Sequence, residues 1–145
     1  MLLPGIFERF PGLRIAFLEG GAAWVPFFVD WLDRSYNESH YQVDLDGGLL
    51  ARPGAGEKGS GYFKRLVKEG RIIAGFDCDD VGLGAAVQRV GHDPFLFATD
   101  FPHEVSSAKV CRHEIDELME RDDLTAANKE TVLGLNAERL YRVGA

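Results

Sequence analysis

The chain has 145 residues and a formal net charge of −7, from 16 basic and 23 acidic side chains. Its length is that of one ordinary domain, and its hydrophobic fraction of 46% and charged fraction of 27% are typical of a globular protein rather than a disordered one. The longest basic run is the pair Lys64 and Arg65, so the sequence excludes the usual electrostatic footprint of nucleic-acid and anionic-membrane binders. We expect residues 1–145 to form a single unit.

The number of cysteines and the lengths of the apolar runs predict the cellular compartment. Cys78 and Cys111 are too few for a disulfide framework and lack the CxxC spacing of a structural zinc site. The N-terminus has no basic segment before its apolar residues, and the uncharged run Gly20–Val29 is shorter than the roughly 20 residues that span a bilayer. These features predict a cytoplasmic protein with no secretory leader and no membrane anchor.

The first third of the chain predicts a strand between two helices. Ile6–Phe10 precedes the breaker Pro11-Gly12 and has the composition of a helix end. The mostly apolar run Leu13–Leu18 is typical of a strand buried on both faces. From Trp24 the apolar spacing becomes helical, and Pro26 suits a first turn. The predicted apolar stripe of this helix comprises Val25, Phe28, Val29, Leu32 and Tyr36.

A long connection separates this unit from the next one. Residues Ser39–Ser60 are rich in Gly, Asp and Pro and lack periodicity, and connections of this length are often functional or mobile. Ser60 is then predicted to cap a helix that runs to Lys68 and ends at Gly70. The apolar run Arg71–Phe76 is the second predicted strand.

The last third repeats the strand and helix alternation. Apolar spacing from Leu83 to Val90 predicts a helix closed by Gly91, and Phe95–Ala98 is the third predicted strand. A further helix is predicted over Ser107–Arg121. One face of it carries Cys111, Ile115, Leu118 and Met119.

Thr125 is predicted to cap a final helix, which Gly134 interrupts, and Asn136 to cap its last turn. Strands that alternate with helices predict an α/β fold with a parallel sheet and right-handed crossovers. Three strands alone leave two sheet edges open, and such edges are normally covered or paired. We therefore expect the sheet to be part of a larger one.

Polar residues follow each predicted strand, where parallel α/β folds carry their chemistry. They are Glu19-Gly20-Gly21, the acidic run at residues 77–80, and the run at residues 100–103. Asp100 leaves a strand that should be buried, so its carboxylate needs a cation, a proton or backbone donors. A metal ligand or general base and an Asx turn before Pro102 are about equally favoured for it.

For the other candidate residues, a structural role is the favoured alternative to a functional one. His103 suits metal binding, substrate orientation or proton transfer, but a solvated loop histidine is about twice as favoured on local evidence. Glu19 is a candidate ligand or acid/base, with neutralisation by the helix turn at residues 22–24 as the favoured alternative. Cys78 could be an activated thiolate at a helix N-terminus, although a small buried residue at a strand end is the more common case.

Longer stretches resemble one family in order along nearly the whole chain. Ile6–Gly21, followed by Trp24 and Pro26, is similar to the sixth-strand region of amidohydrolase family 2 proteins, the relatives of aminocarboxymuconate semialdehyde decarboxylase. Phe97–His103 resembles the eighth strand of that family, and Asn136–Tyr141 its closing helix. The resemblance implies a partial (β/α)8 TIM barrel of about three parallel strands with flanking helices.

The resemblance also implies a chemistry. These proteins hold a divalent metal, usually zinc, and hydrolyse or decarboxylate small carboxylated substrates. Asp100 would then bind the metal or activate its water, while Glu19, Trp24 and His103 would contact substrate. The paired HxH histidines of strand one and the histidine of strand five have no counterpart in this sequence, and Glu19 stands where the decarboxylases carry a histidine.

A full barrel of this type takes about 250 residues, so we expect this chain to supply three of eight strands. Three hypotheses follow. The chain is part of a metal-dependent enzyme whose remaining strands come from another chain or segment, a non-catalytic homo-oligomeric barrel remnant that acts as an interaction protein, or a truncated product. We expect the isolated chain to be inactive, because a zinc site needs three or four protein ligands.

Overall fold

Three short parallel strands form the centre of the fold. Their order in the sheet is β1-β2-β3, so the sequence order is also the spatial order. Ala74 in the middle strand lies opposite Phe17 on one side and Phe95 on the other. The predicted parallel sheet is confirmed, with strands slightly shorter than expected. The strands are β1 (Ile15–Phe17), β2 (Ile72–Phe76) and β3 (Phe95–Phe97).

Helices surround this sheet. The structure is a computed structural model that describes Leu2 and residues 5–39, 57–103 and 107–143. Most of the predicted connection Ser39–Ser60 lies outside the described residues. The helices are α1 (Ile6–Arg9), α2 (Trp24–Ser39), α3 (Gly59–Lys68), α4 (Leu83–Val90), α5 (Ala108–Glu120), α6 (Ala126–Glu130) and α7 (Asn136–Tyr141), with a π-helical turn at Thr131–Leu135 between the last two. No helix in the described ranges is long and apolar enough to cross a membrane.

The middle strand is the most deeply buried element. All five residues of β2 are buried, as the continuous apolar run predicted. The edge strand β1 is less covered, and Ala16 at its centre is exposed. The main core joins the sheet to α2, α3 and α4, and its largest fully buried side chains include Phe63, Phe76 and Phe95.

Local signals located most helix ends correctly. Gly70 and Gly91 follow α3 and α4 with φ angles of 66° and 85°, the left-handed region that glycine adopts without strain. The Ser107 and Thr125 side chains accept hydrogen bonds from the first turns of α5 and α6. Gly134 lies in the π-helical turn, where the helix widens rather than stops.

Two predicted caps were wrong. Ser60 lies inside α3, where its N–H and hydroxyl both donate to the Asp33 carboxylate of α2, at 2.7 and 2.8 Å. The predicted α5 face is partly buried, since Leu118 is buried, Cys111 and Ile115 are intermediate and Met119 is half exposed. Asn136 begins α7, but its side chain bonds to distant backbone instead of capping.

Asn136 closes the N-terminal end of β3. It is 1% exposed, and its Nδ2 donates to the carbonyl oxygens of His92 at 2.9 Å and Phe95 at 2.6 Å. Its Oδ1 accepts a hydrogen bond of 2.7 Å from Arg139, which also binds the Asp93 carbonyl oxygen. A buried amide is stable here because both of its ends have partners.

Two arginines close the same end of the other strands. Arg14 donates to the carbonyl oxygens of Gly70 at 3.0 Å and Arg139 at 2.9 Å. Arg71 donates to three carbonyl oxygens before β1 and lies over the Phe7 ring, 5.0 Å from its centroid. Polar contacts at the strand N-termini therefore serve to hold the sheet together, which is the usual role of this face in parallel barrels.

We expect Asn136→Ala to lower the free energy of unfolding by about 1–3 kcal/mol, because two carbonyl groups and an arginine lose their partner. Urea unfolding followed by circular dichroism measures this. Gln88→Ala, on the exposed side of α4, is the control and should change stability by less than about 0.5 kcal/mol. Equal effects of the two substitutions would contradict the role of Asn136.

Candidate active-site cavity at the strand ends

The C-terminal ends of the three strands meet at one open cavity of about 570 Å³. Residues after every strand line it, together with residues of α5. The wall is acidic, with Glu19, Asp77, Asp79, Asp100, Glu114 and Glu117 beside His103, His113 and Cys78. Three of the four predicted site residues, Glu19, Asp100 and His103, therefore lie together.

A second cavity of the same size, about 570 Å³, lies between α3 and α4 on the outer side of the sheet. It is lined by helix side chains such as Phe63, Lys64 and Lys68, and by Pro94 before β3. Chemistry in parallel α/β folds takes place at the strand C-termini. We therefore assign the candidate site to the strand-end cavity.

Asp100 occupies a special backbone position at the exit of β3. Its φ angle is 54°, in the left-handed region that few non-glycine residues adopt and that often marks functional sites. Its Oδ2 lies 3.0 Å from Nδ1 of His103, and the His103 N–H donates to its carbonyl oxygen at 2.7 Å. The peptide bond between Phe101 and Pro102 in this turn is cis.

The Asx-turn alternative for Asp100 does not match this geometry. Pro102 has no N–H, the N–H of Phe101 donates to the Thr99 hydroxyl at 3.4 Å, and that of His103 goes to the Asp100 carbonyl oxygen. The carboxylate instead faces an imidazole and the cavity. The N–H groups of residues 101–103 therefore form no Asx turn with this carboxylate.

Glu19 also has a left-handed backbone, with φ 62°, at the exit of β1. The N–H of Ala22, one of the donors in the helix-turn alternative, donates instead to Oδ2 of Asp80 at 2.6 Å. The Glu19 side chain is exposed and lines the cavity. Two strand exits thus present a carboxylate from a strained backbone.

Asp80 joins the loops after β1 and β2. One oxygen accepts from Ala22, and the other accepts from the N–H of Gly82 at 2.8 Å, just before α4. The second contact is local, since an acidic side chain just before a helix suits the positive end of the helix dipole. The first contact spans 58 positions in the sequence, and no local pattern indicates it.

Arg121 connects the same loop to the end of α5. Its Nη1 donates to the carbonyl oxygens of Cys78 at 3.2 Å and Asp80 at 2.8 Å, while the rest of the guanidinium pairs with Asp123. Hydrogen bonding between the two raises the pKa of Arg121 and lowers that of Asp123. Asp123 also fills the space where a Cβ on Gly84 would stand, so position 84 requires glycine.

Cys78 is not an activated nucleophile. Burial, followed by its contact with the Glu117 carboxylate at 3.4 Å, raises the pKa of the thiol to about 11. The thiol therefore stays protonated near neutral pH. This supports the plainer alternative of a small strand-end residue.

Trp24 lies outside the cavity lining. Its ring packs edge-on between Phe17 and Phe28, at centroid distances of 5.3 and 5.6 Å. A Cβ on Gly20 would come within 3.1 Å of its Nε1, so the ring also supports the loop that carries Glu19. The structure thus places Trp24 behind the site rather than in it.

The described residues do not complete a metal centre. Within the ranges that the structure covers, no three or more His, Cys, Asp or Glu side chains are grouped as a metal requires. Asp100 and His103 form a pair, and a carboxylate oxygen is a suitable ligand for a divalent ion. A metal ion at Asp100 would need more ligands than the described residues group around it.

The chain also matches a family of known proteins. A family model described as amidohydrolase matches residues 1–143. The chain belongs to the amidohydrolase family. The resemblance noted in the sequence is therefore confirmed, as is the fold class, a partial (β/α)8 barrel with three parallel strands.

One solved structure similar to this amidohydrolase is the crystal structure of 5-carboxyvanillate decarboxylase LigW from Sphingomonas paucimobilis. The identity is 25% and the TM-score 0.60, over 98% of this chain and 37% of that one. The amidohydrolase chain thus spans little more than a third of the structure that it matches.

We expect Asp80→Ala to lower the free energy of unfolding by about 1–3 kcal/mol, because the N–H of buried Ala22 loses its acceptor. The matched control is Asp79→Ala, which removes an exposed carboxylate from the neighbouring position. Urea unfolding of both variants measures the difference. A loss of stability in the control as large as in Asp80→Ala would rule out the bridging role.

The pair of Arg121 and Asp123 gives a pH dependence. A lowered folded-state pKa means that Asp123 stabilises the fold above its unfolded pKa of about 4 and that this contribution is lost as the pH falls through the folded-state pKa. The stability difference between wild type and Asp123→Asn should be constant from about pH 7 to pH 5 and shrink below about pH 4. Urea unfolding at each pH measures it, and a difference that grows on acidification would contradict the assignment.

Proposed function

We propose that the chain forms one wall of the active site of a metal-dependent hydrolase or non-oxidative decarboxylase that acts on a small carboxylated substrate. The observation that carries the proposal is the position of Asp100. It lies at the exit of β3, in the cavity where the residues after all three strands meet, in a chain of the amidohydrolase family. Asp100 is the proposed catalytic residue.

Two roles suit this carboxylate. It can supply an oxygen ligand to a divalent ion, for which zinc is our expectation, or it can accept a proton from water or substrate. A bound divalent ion would supply Lewis acidity and a lowered pKa of its water. The other ligands would come from a preceding segment or a partner chain that completes the barrel.

The charge of the wall limits how a carboxylated substrate can bind. The described lining carries six carboxylates and two histidines, and no lysine or arginine. A substrate carboxylate would be repelled by most of this wall. We propose that it is held by the metal and by groups outside the described residues, while Glu19 contacts the uncharged part of the substrate.

Support for the two reaction classes comes from different sources. The family description supports hydrolysis, while the structural neighbour is a decarboxylase of an aromatic acid, 5-carboxyvanillate. A carboxylate beside the reacting bond can hold or accept a proton in either reaction. Release of carbon dioxide from 5-carboxyvanillate is therefore the first activity to assay.

A second candidate function rests on exposed apolar side chains. Leu18, just after β1, and Phe101, in the turn after β3, are each 59% exposed, and β1 and β3 are the edge strands of the three-stranded sheet. Such edges favour association with another copy or a partner chain. In this alternative, the chain is a homo-oligomeric interaction protein without catalysis, and Asp100 has no chemical role. The cytoplasm remains the expected compartment in both cases.

Metal content distinguishes the two candidates. In an assembly that completes the barrel, we expect about one zinc or other divalent ion per chain, and at least about tenfold less bound metal on Asp100→Asn. Inductively coupled plasma mass spectrometry measures the stoichiometry without added metal.

Asp116→Asn is the control, because Asp116 is an exposed carboxylate of α5 that pairs with Arg112. It should leave the metal content unchanged. A folded assembly that holds no metal, or that holds the same amount in both variants, would contradict the metal-dependent role of Asp100 and favour the interaction protein.

A further inference from the structure

His103 holds the Asp100 carboxylate through one oxygen. The ring Nδ1 lies 3.0 Å from Oδ2, and 41% of the Asp100 side-chain surface stays accessible. The carboxylate is therefore bonded on one side and still open to a ligand or substrate in the cavity. Hydrogen bonds of this kind fix the orientation of a reactive carboxylate.

The backbone brings the two side chains together. The left-handed φ of Asp100 turns the chain immediately after β3, and the hydrogen bond from the His103 N–H to the Asp100 carbonyl oxygen closes the turn at 2.7 Å. Because both contacts join the same two residues, the turn and the side-chain pair support each other. An exposed pair without this backbone hydrogen bond would be expected to contribute little to stability.

The second histidine of the cavity provides a comparison. His113 lies on α5, and its Nε2 is 3.7 Å from Oε1 of Glu117, one helical turn away. It has the same chemistry and lines the same cavity but pairs with a different carboxylate. It therefore separates the general effect of removing a histidine from the specific effect on Asp100.

We propose that His103 is a positioning residue that holds the Asp100 carboxylate in one orientation, rather than a substrate-binding residue in its own right. The inference rests on the proposed function for the importance of Asp100, but the pairing itself is tested separately. Replacing His103 should then affect the rate of turnover and not the binding of substrate.

The first measurement is the side-chain order of Asp100 in solution. Three-bond couplings between its Hα and the two Hβ protons, measured by NMR on the purified chain, report whether one rotamer dominates. We expect one large and one small coupling in wild type and His113→Ala, and two similar couplings in His103→Ala. His103→Asn should restore the wild-type pattern, because its Nδ2 occupies the place of the imidazole Nδ1.

The second measurement is steady-state decarboxylation of 5-carboxyvanillate by the same four proteins in their assembled form. We expect His103→Ala to lower kcat about 10- to 100-fold with KM within about twofold of wild type, the usual effect of losing a partner that orients a reactive group. His103→Asn should recover most of kcat. His113→Ala should lower it far less than His103→Ala.

The outcomes distinguish a failure of the positioning role from a failure of the proposed reaction. Identical Asp100 couplings in all four proteins, or a rise in KM with kcat unchanged in His103→Ala, would overturn the positioning role. The expected couplings together with no turnover in any of the proteins would contradict the proposed decarboxylase reaction and support the positioning. The expected couplings and the expected kcat pattern together would support both.

Discussion

Asp80 binds the backbone of two strand exits at once, and the shape of the cavity depends on that bridge. The loop after β1 carries Glu19, and the loop after β2 carries the acidic run and Cys78. Besides their strands, these loops are joined by this anchor and by the close packing of Gly82 against Ala23. The carboxylate satisfies N–H groups of Ala22 and Gly82 that would otherwise lack a partner at partly buried positions.

Arg121 extends the anchoring to α5, so that the helix following β3 is bound to the loop following β2.

The two ends of the sheet carry different side chains and have different roles. At the N-terminal end, Arg14, Arg71 and Asn136 satisfy carbonyl groups and face no cavity of the candidate site. At the C-terminal end, carboxylates on left-handed backbone face an open space. This division between a stabilising end and a reactive end is general in parallel barrels.

The features that the sequence predicted correctly are those that depend on residues close together in the chain. The buried run of β2, the glycine ends at Gly70 and Gly91, and the caps at Ser107 and Thr125 depend on neighbouring residues, so pattern alone located them. The site was partly predictable for the same reason, because residues after strands converge by topology. The sequence did not predict the contact of Asp80 with Ala22, the buried hydrogen bonds of Asn136 or the packing of Trp24. The partners of these residues are distant in sequence or depend on how one loop packs on another.

The order of strands in this sheet has a consequence for how the chain folds. The connection from β2 to β3 is short and contains α4, whereas the connection from β1 to β2 is roughly three times as long. Closing the longer one costs about 1 kcal/mol more in chain entropy by a flexible-loop relation. The β2-α4-β3 unit is therefore the favoured nucleus, with β1 docking afterwards. On that pathway Asp100 and His103 reach their turn before Glu19 arrives across the cavity.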